Sequence, residues 1–483
     1  MRKILSITIL TLLGLVGCGG SNTTNINEDY NLSVSIEINN NHIYANEYVT
    51  FYAINEEKTT TTYRWLLNGE EVDGNKYKLR QGELGEGNYT LEVFINDTNG
   101  KSSQDKINFE VVDANYSNDT ITFFNHLNED RTNMGVAPLK LNYYLGISAL
   151  NHAKYGVYND ITGHDEVEGN IGFTGITPFD RMDYVGYKSG YKSEVIGYGS
   201  SLSAYEGLMS AIYHRFGMIN PLYSEFNVQR YSQEGINTQP NVGNLGNYSS
   251  SELYDQANRD SYININEKMY LEAPKYMIYP YDKQIEVPVV FYEENPDPLP
   301  DYHVSGYPIS MQLNEYKIDM DNSSNFVFEL YKGNEKIDTM LITSENDVNE
   351  RFSKTQFALF AKKPLDYNSE YQAIFKYIEN GDDKIVEWSF KTKHIDNLYP
   401  LNSSGVLDIN TTANSKYIIS IPQNYILYYS YTCKNIQLNH FIVDNSILEF
   451  ITNDINETCY YKFYNDDVVN YTINYNLNLI ILF

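Results

Sequence analysis

The chain has 483 residues, with 63 acidic against 35 basic side chains, a net charge of −28 and three cysteines. At roughly 150 residues per domain this length makes about three domains, and a hydrophobic share of 42% excludes a disordered chain. The acidic balance excludes a nucleic-acid partner, because neutralising phosphates takes clustered Lys and Arg.

Met1-Arg2-Lys3 is a short basic start, and Ile4 to Val16 is an apolar stretch broken only by Ser, Thr and Gly. About 20 apolar residues are needed to cross a hydrocarbon core, so residues 1–17 read as a cleaved signal peptide. Leu15-Val16-Gly17-Cys18 resembles a bacterial lipobox. The resemblance implies that Cys18 becomes the new N-terminus and carries a lipid that anchors the protein in the cell envelope, with the membrane as its partner. Gly19 stands where an Asp would retain a lipoprotein at the inner membrane, so outer-membrane or surface display is favoured. Residues 18–30 hold almost nothing apolar and read as a flexible tether. In that oxidising setting Cys433 and Cys459 are expected to pair, and the loop would contribute about 3 kcal/mol in a chain-entropy account.

From Leu32 apolar residues recur with period two, through Leu32, Val34, Ile36, Ile38 and then Val49, Phe51, Ala53. The runs around Trp65, Leu91 and Phe109 continue the pattern, punctuated by Asn68-Gly69, Asp73-Gly74 and Asn99-Gly100. This predicts a small β-sandwich over 31–113. Its Trp-centred strand followed by an Asn-Gly turn looks like the immunoglobulin-like PKD modules of bacterial surface proteins.

The period then changes. Ser117 or Asp119 can cap a helix carrying Ile121, Phe124, Leu127 and Arg131, stopped by Gly135 and Pro138. A second helix is predicted from Leu141 to about Tyr158, and a third from Ser203 to about Phe216, with a Gly-rich stretch between them. Residues 115–282 thus form an α+β block, and four of the eight histidines (His126, His152, His164, His214) fall within it. Tyr292 to Pro300 is a stiff, proline-spaced connector. Alternating runs beyond it predict an immunoglobulin-like sandwich, with 283–395 as its span, and a last β-rich domain over 396–483.

Several ordered pieces of the α+β block resemble the CAP superfamily of secreted proteins (cysteine-rich secretory, antigen 5 and pathogenesis-related proteins; SCP-like). They are Leu127-Asn-Glu-Asp-Arg131 with Gly135-Val-Ala-Pro138, His152-Ala-Lys-Tyr155, and Gly163-His164-Asp-Glu166. Thr177-Pro-Phe-Asp-Arg181, Ser193-Glu194-Val-Ile and Tyr213-His214-Arg215 complete the set. The resemblance implies an α-β-α sandwich flanked by all-β immunoglobulin-like sandwiches, with a cleft lined by two His and two Glu. His164 matches the first histidine, Glu194 the glutamate of the family's Gly-Glu-Asn segment, and His214 the second histidine. Ser193 and Val195 depart from that segment. For the second glutamate two candidates stand: Glu206, about 80° from His214 on an unbroken helix, and Glu166, two residues from His164.

Two imidazoles and one or two carboxylates converging on a cleft can hold a divalent ion such as Zn²⁺ or Mg²⁺. They can also act as an acid–base pair, with Glu194 and His214 as the candidates, or simply form a hydrogen-bonded cluster. His152, at helical spacing with Leu145 and Ala149, reads as a satisfied buried side chain, and Arg131 and Arg181 as internal partners. No HExxH and no GxSxG occurs. Three readings follow: a lipid-anchored envelope protein whose cleft binds a metal and a protein, glycan or lipid ligand; a metal-assisted peptidase or esterase; or an adhesion scaffold with an idle cleft.

Overall fold

Asn68 and Gly69 both adopt positive φ, the left-handed geometry of a tight hairpin turn, and join the strands Thr61–Leu67 and Glu70–Val72. Around that hairpin, five strands form one sheet in the order Ile43–Tyr44, Ser102–Val112, Gly87–Asp97, Thr61–Leu67, Glu70–Val72. Ser35–Ile38, Val49–Ile54 and Lys78–Gln81 form a second. Trp65, Phe51, Leu79, Leu91, Val93 and Ile95 are buried in this first compact unit, so period-two alternation became a sandwich core.

The structure, a computed structural model, describes residues 30–477. Excepted are 39–42, 46, 56–60, 73–76, 83, 188, 237, 248–266, 268, 319–325, 397, 401–405, 412–414, 421–427, 433–438, 445–446, 452–457 and 465–470. The expected signal peptide 1–17, the expected lipidation site Cys18, the expected tether up to residue 29 and Cys433 of the expected Cys433–Cys459 pair therefore lie outside the described residues. The described chain is multi-domain and mostly β-sheet, with few helices.

The second compact unit begins with five named helices: α1 (Asn118–Asn133), α2 (Tyr143–Asn159), α3 (Pro178–Tyr184), α4 (Ser201–Ser210) and α5 (Ile212–Met218). Their starts are written locally. Ser117, Asn142 and Ser200 each cap a helix by accepting a backbone N–H, and Thr177 with Asp180 closes a capping box behind Pro178. They surround a four-stranded sheet ordered Lys192–Tyr198, Pro240–Gly246, Glu225–Arg230, Lys140–Leu141. Successive residues of these strands serve opposite faces. Val195, Phe226 and Leu245 pack with Phe123 and Leu127 of α1 and Leu208 of α4. Val242 packs with Ala149 and Ala153 of α2, and Leu145 of α2 with Met182 of α3 and Tyr187. Gly146 lets α2 sit close to the sheet, for a Cβ there would come 2.7 Å from the Asn227 amide.

The sandwich that follows takes more chain than the sequence suggests. Tyr276–Tyr279, on the α+β side of a boundary at 282, pairs antiparallel with Ile309–Leu313 in a sheet completed by Gln356–Ala361 and Thr339–Thr343. The facing sheet runs Gln284–Val287, Asp382–Thr392, Glu370–Glu379, Phe326–Lys332, Glu335–Lys336. One hydrophobic core runs from Phe123 and Phe226 through Met277, Tyr307 and Ile309 to Phe375 and Trp388. The helical block and this sandwich therefore share an interior. Eight further strands between Leu398 and Leu477 form two four-stranded sheets.

Candidate functional site

Glu194 sits mid-strand in Lys192–Tyr198, opposite Asn244, with its carboxylate on the α2–α3 face while Val195 enters the other core. Arg181 of α3 reaches it with one nitrogen, Nη2, 2.8 Å from each carboxylate oxygen. His164 Nδ1 donates to Glu194 Oε1 at 3.0 Å, and His152 Nε2 lies 3.8 Å from the same oxygen. Burial pushes the Glu194 carboxyl up, but the His164 hydrogen bond and the charges of Arg181 and His152 outweigh it and hold it below the usual range. Glu194 is therefore a fixed anion already saturated with donors, and a poor general base.

A buried layer lies behind this pair. His152 Nε2–H donates to the carbonyl of Gly163 at 2.9 Å, which pins the backbone next to His164. With that proton committed, the contact of His152 Nδ1 with Glu166 Oε1 at 2.9 Å holds another. Glu166 Oε2 accepts the Thr174 N–H at 2.7 Å, and Arg181 Nε stands 3.6 Å from Glu166 Oε1. Glu166 thus serves His152, one step back from Glu194, rather than pairing with His164. His152 is the satisfied buried histidine that its helical spacing suggested.

The second histidine has a different support. His214 Nδ1 donates at 3.0 Å to Glu294 Oε2, from the connector 80 residues on, and Glu294 Oε1 accepts the Tyr213 N–H at 3.2 Å. The Glu294 side chain is 2% exposed, so the connector is no free spacer here. The imidazoles of His164 and His214 lie nearly parallel, 6.3 Å between centroids, with side chains 42% and 16% exposed. Each spends Nδ1 on a carboxylate, and neither Nε2 has a hydrogen-bond partner among the described residues.

Glu206 takes no part. It is exposed on α4, and the helix does not continue to His214: Ala211 is extended (φ −74°, ψ 111°) and separates α4 from α5. The 80° relation assumed one unbroken helix, and the kink cancels it. The carboxylate that takes its place, Glu294, carries no spacing signal because it lies 80 residues beyond His214, in the connector and after several intervening strands. Arg131 and Arg181 are internal partners: Arg131 donates to the carbonyls of Ala137, Met218, Asn220 and Tyr223, and burial pulls its guanidinium down to about 9.

Among the described residues no group of three or more His, Cys, Asp or Glu side chains is placed to hold a metal ion. What is present there is a pair of imidazoles, 6.3 Å between centroids. Neutral rings protonated at Nδ1 and backed by carboxylates present Nε2 lone pairs, the arrangement that orients histidine ligands. Glu194 and Glu294 each hold one of the two rings through its Nδ1.

No protein-family model matches the chain and no curated protein does. Among solved structures, an outer surface protein of Borrelia burgdorferi is 17% identical over 26% of this chain and 91% of its own, with a TM-score of 0.24. An extracellular protein containing an SCP domain from Bacillus anthracis is 13% identical over 44% of this chain and 88% of its own, at a TM-score of 0.23. The first PKD domain of a Vibrio cholerae metalloprotease is 13% identical over 17% of this chain and 96% of its own, at 0.15. These likenesses cover pieces of the chain.

Proposed function

We propose that the protein is a lipid-anchored cell-surface protein whose α+β block is a CAP domain, and that its His164–His214 cleft binds a divalent metal ion and, with it, an extracellular ligand. The observation that carries this reading is the pair of parallel imidazoles, each donating Nδ1–H to its own buried carboxylate and each leaving Nε2 unbonded. His164 and His214 would hold the ion. Bound there, it would supply Lewis acidity toward a carbonyl or phosphoryl oxygen of the ligand. Glu194 and Glu294 hold the two rings in the Nδ1–H tautomer, and Arg181 neutralises Glu194 so that the ring, not the anion, faces the opening. Two protein donors make an open, exchangeable site, with the remaining positions left to water or ligand.

Calorimetric titration of Zn²⁺ into the full chain tests this, with His164→Ala/His214→Ala alongside. One ion per chain at micromolar affinity, lost in the double variant, supports the reading; equal heats from the two proteins reject it.

A further inference from the structure

We infer that the sandwich after the helical block is a working part of the cleft, and that Glu294 is the positioning residue through which it sets His214. Three consecutive residues of α5 are gripped from that side. The Tyr213 N–H and His214 Nδ1–H are taken by the two oxygens of Glu294. Arg215 Nη1 donates to Pro308 O at 2.7 Å and to Ser310 Oγ at 3.1 Å, and its guanidinium lies 4.8 and 5.0 Å from the ring centroids of Tyr279 and Tyr307.

A second grip fixes the connector itself. The Tyr213 hydroxyl donates to Asp347 Oδ1, and Asn349 Nδ2 donates to Tyr213 O–H at 3.0 Å and to Asp297 O at 2.7 Å. Asp347 is held in turn by the backbone N–H groups of Asn349, Arg351 and Phe352 at 3.1, 2.6 and 2.9 Å. The loop after Thr343 therefore ties α5 to the connector three residues beyond Glu294.

The physical consequence is specific. A seven-residue helix that begins at Ala211 without a side-chain cap has little stability of its own, so the orientation of the His214 ring depends on groups outside the helical block. A carboxylate behind a histidine fixes its tautomer and ring direction, and losing such a partner costs about 10–100-fold in metal affinity. The sandwich is then more than a spacer, because half of the cleft's donor geometry is built on it.

The test uses the full chain with Glu294→Ala and the near-isosteric Glu294→Gln, which keeps the volume and one acceptor. Two readouts are taken: the ¹⁵N shifts of the His214 ring in histidine-labelled protein without metal, assigned with His214→Asn, and the affinity for Zn²⁺ alone. We expect His214 to be an Nδ1–H tautomer in the wild type and to lose that preference in Glu294→Ala. Zinc affinity should fall at least tenfold in Glu294→Ala and severalfold in Glu294→Gln. The affinity readout rests on the metal reading of the cleft; the tautomer readout does not. If wild type and variants all ignore zinc yet the tautomer moves, the metal reading fails while the positioning role stands. A His214 ring unmoved in both variants, with zinc affinity at the wild-type value, overturns the inference. Should Glu294→Ala fail to fold, Glu294→Gln decides by the same two readouts.

Discussion

His164 and His214 are held by opposite strategies. His164 sits on an exposed bend, and everything behind it belongs to the helical block: Glu194, then Arg181 and His152, then Glu166 and Thr174, in one buried charged network. His214 sits on a helix, and its support comes from Glu294, Asp347 and Pro308 in later segments. One half is stabilised by charge balance in a buried interior, the other by docking of a second fold unit. The two halves should therefore fail differently. The first is sensitive to removal of a single charge, the second to the integrity of the packed sandwich.

Charge removal in the first half should have the largest effect. Arg181→Met leaves Glu194 and Glu166 buried without their cation, and breaking a buried pair in this way costs about 3–5 kcal/mol. Urea unfolding of the variant should show that loss, and a change under 1 kcal/mol would mean water reaches the network. Arg215→Met strikes the second half. It removes charged hydrogen bonds to Pro308 and Met209 and the stacking on two tyrosines, for about 2–3 kcal/mol. Its zinc affinity should also fall.

Acid should also act on the second half. Burial works against the Asp347 carboxylate, but the Tyr213 hydroxyl and three backbone N–H groups hold it below its usual 3.8. A depressed carboxylate stabilises above its unfolded value and loses that contribution as pH falls through its folded one. Stability should therefore drop below about pH 3.8, and Asp347→Asn should flatten that limb in a pH series of thermal melts. The smallest effect belongs to Glu206→Ala. At an exposed position with no role in either half, it should change stability by less than about 0.5 kcal/mol and leave zinc binding intact.

How much of this was legible depended on distance along the chain. The strand around Trp65, its Asn-Gly turn and the Ser117 cap are local patterns, and the folded chain keeps them. The ordered motifs single out His164, Glu194 and His214, and in the structure His164 bonds Glu194 and faces the His214 ring. The fourth carboxylate was not legible. A helix read as continuous from Ser203 to Phe216 is broken at Ala211, which no residue type there announces. Glu294 sits in a proline-spaced segment whose composition suggests only a stiff connector. Likewise Tyr276–Tyr279 reads as a strand, but its sheet partner Ile309–Leu313 is set by tertiary pairing.

X-ray absorption at the zinc edge, on the zinc-loaded full chain, tests the central claim most directly. Two imidazole nitrogens are expected at about 2.0 Å, both lost in His164→Ala/His214→Ala, with the oxygens of Glu194 and Glu294 not bound to the ion. A shell without imidazole scattering, or a chain that retains no zinc after desalting, would contradict it.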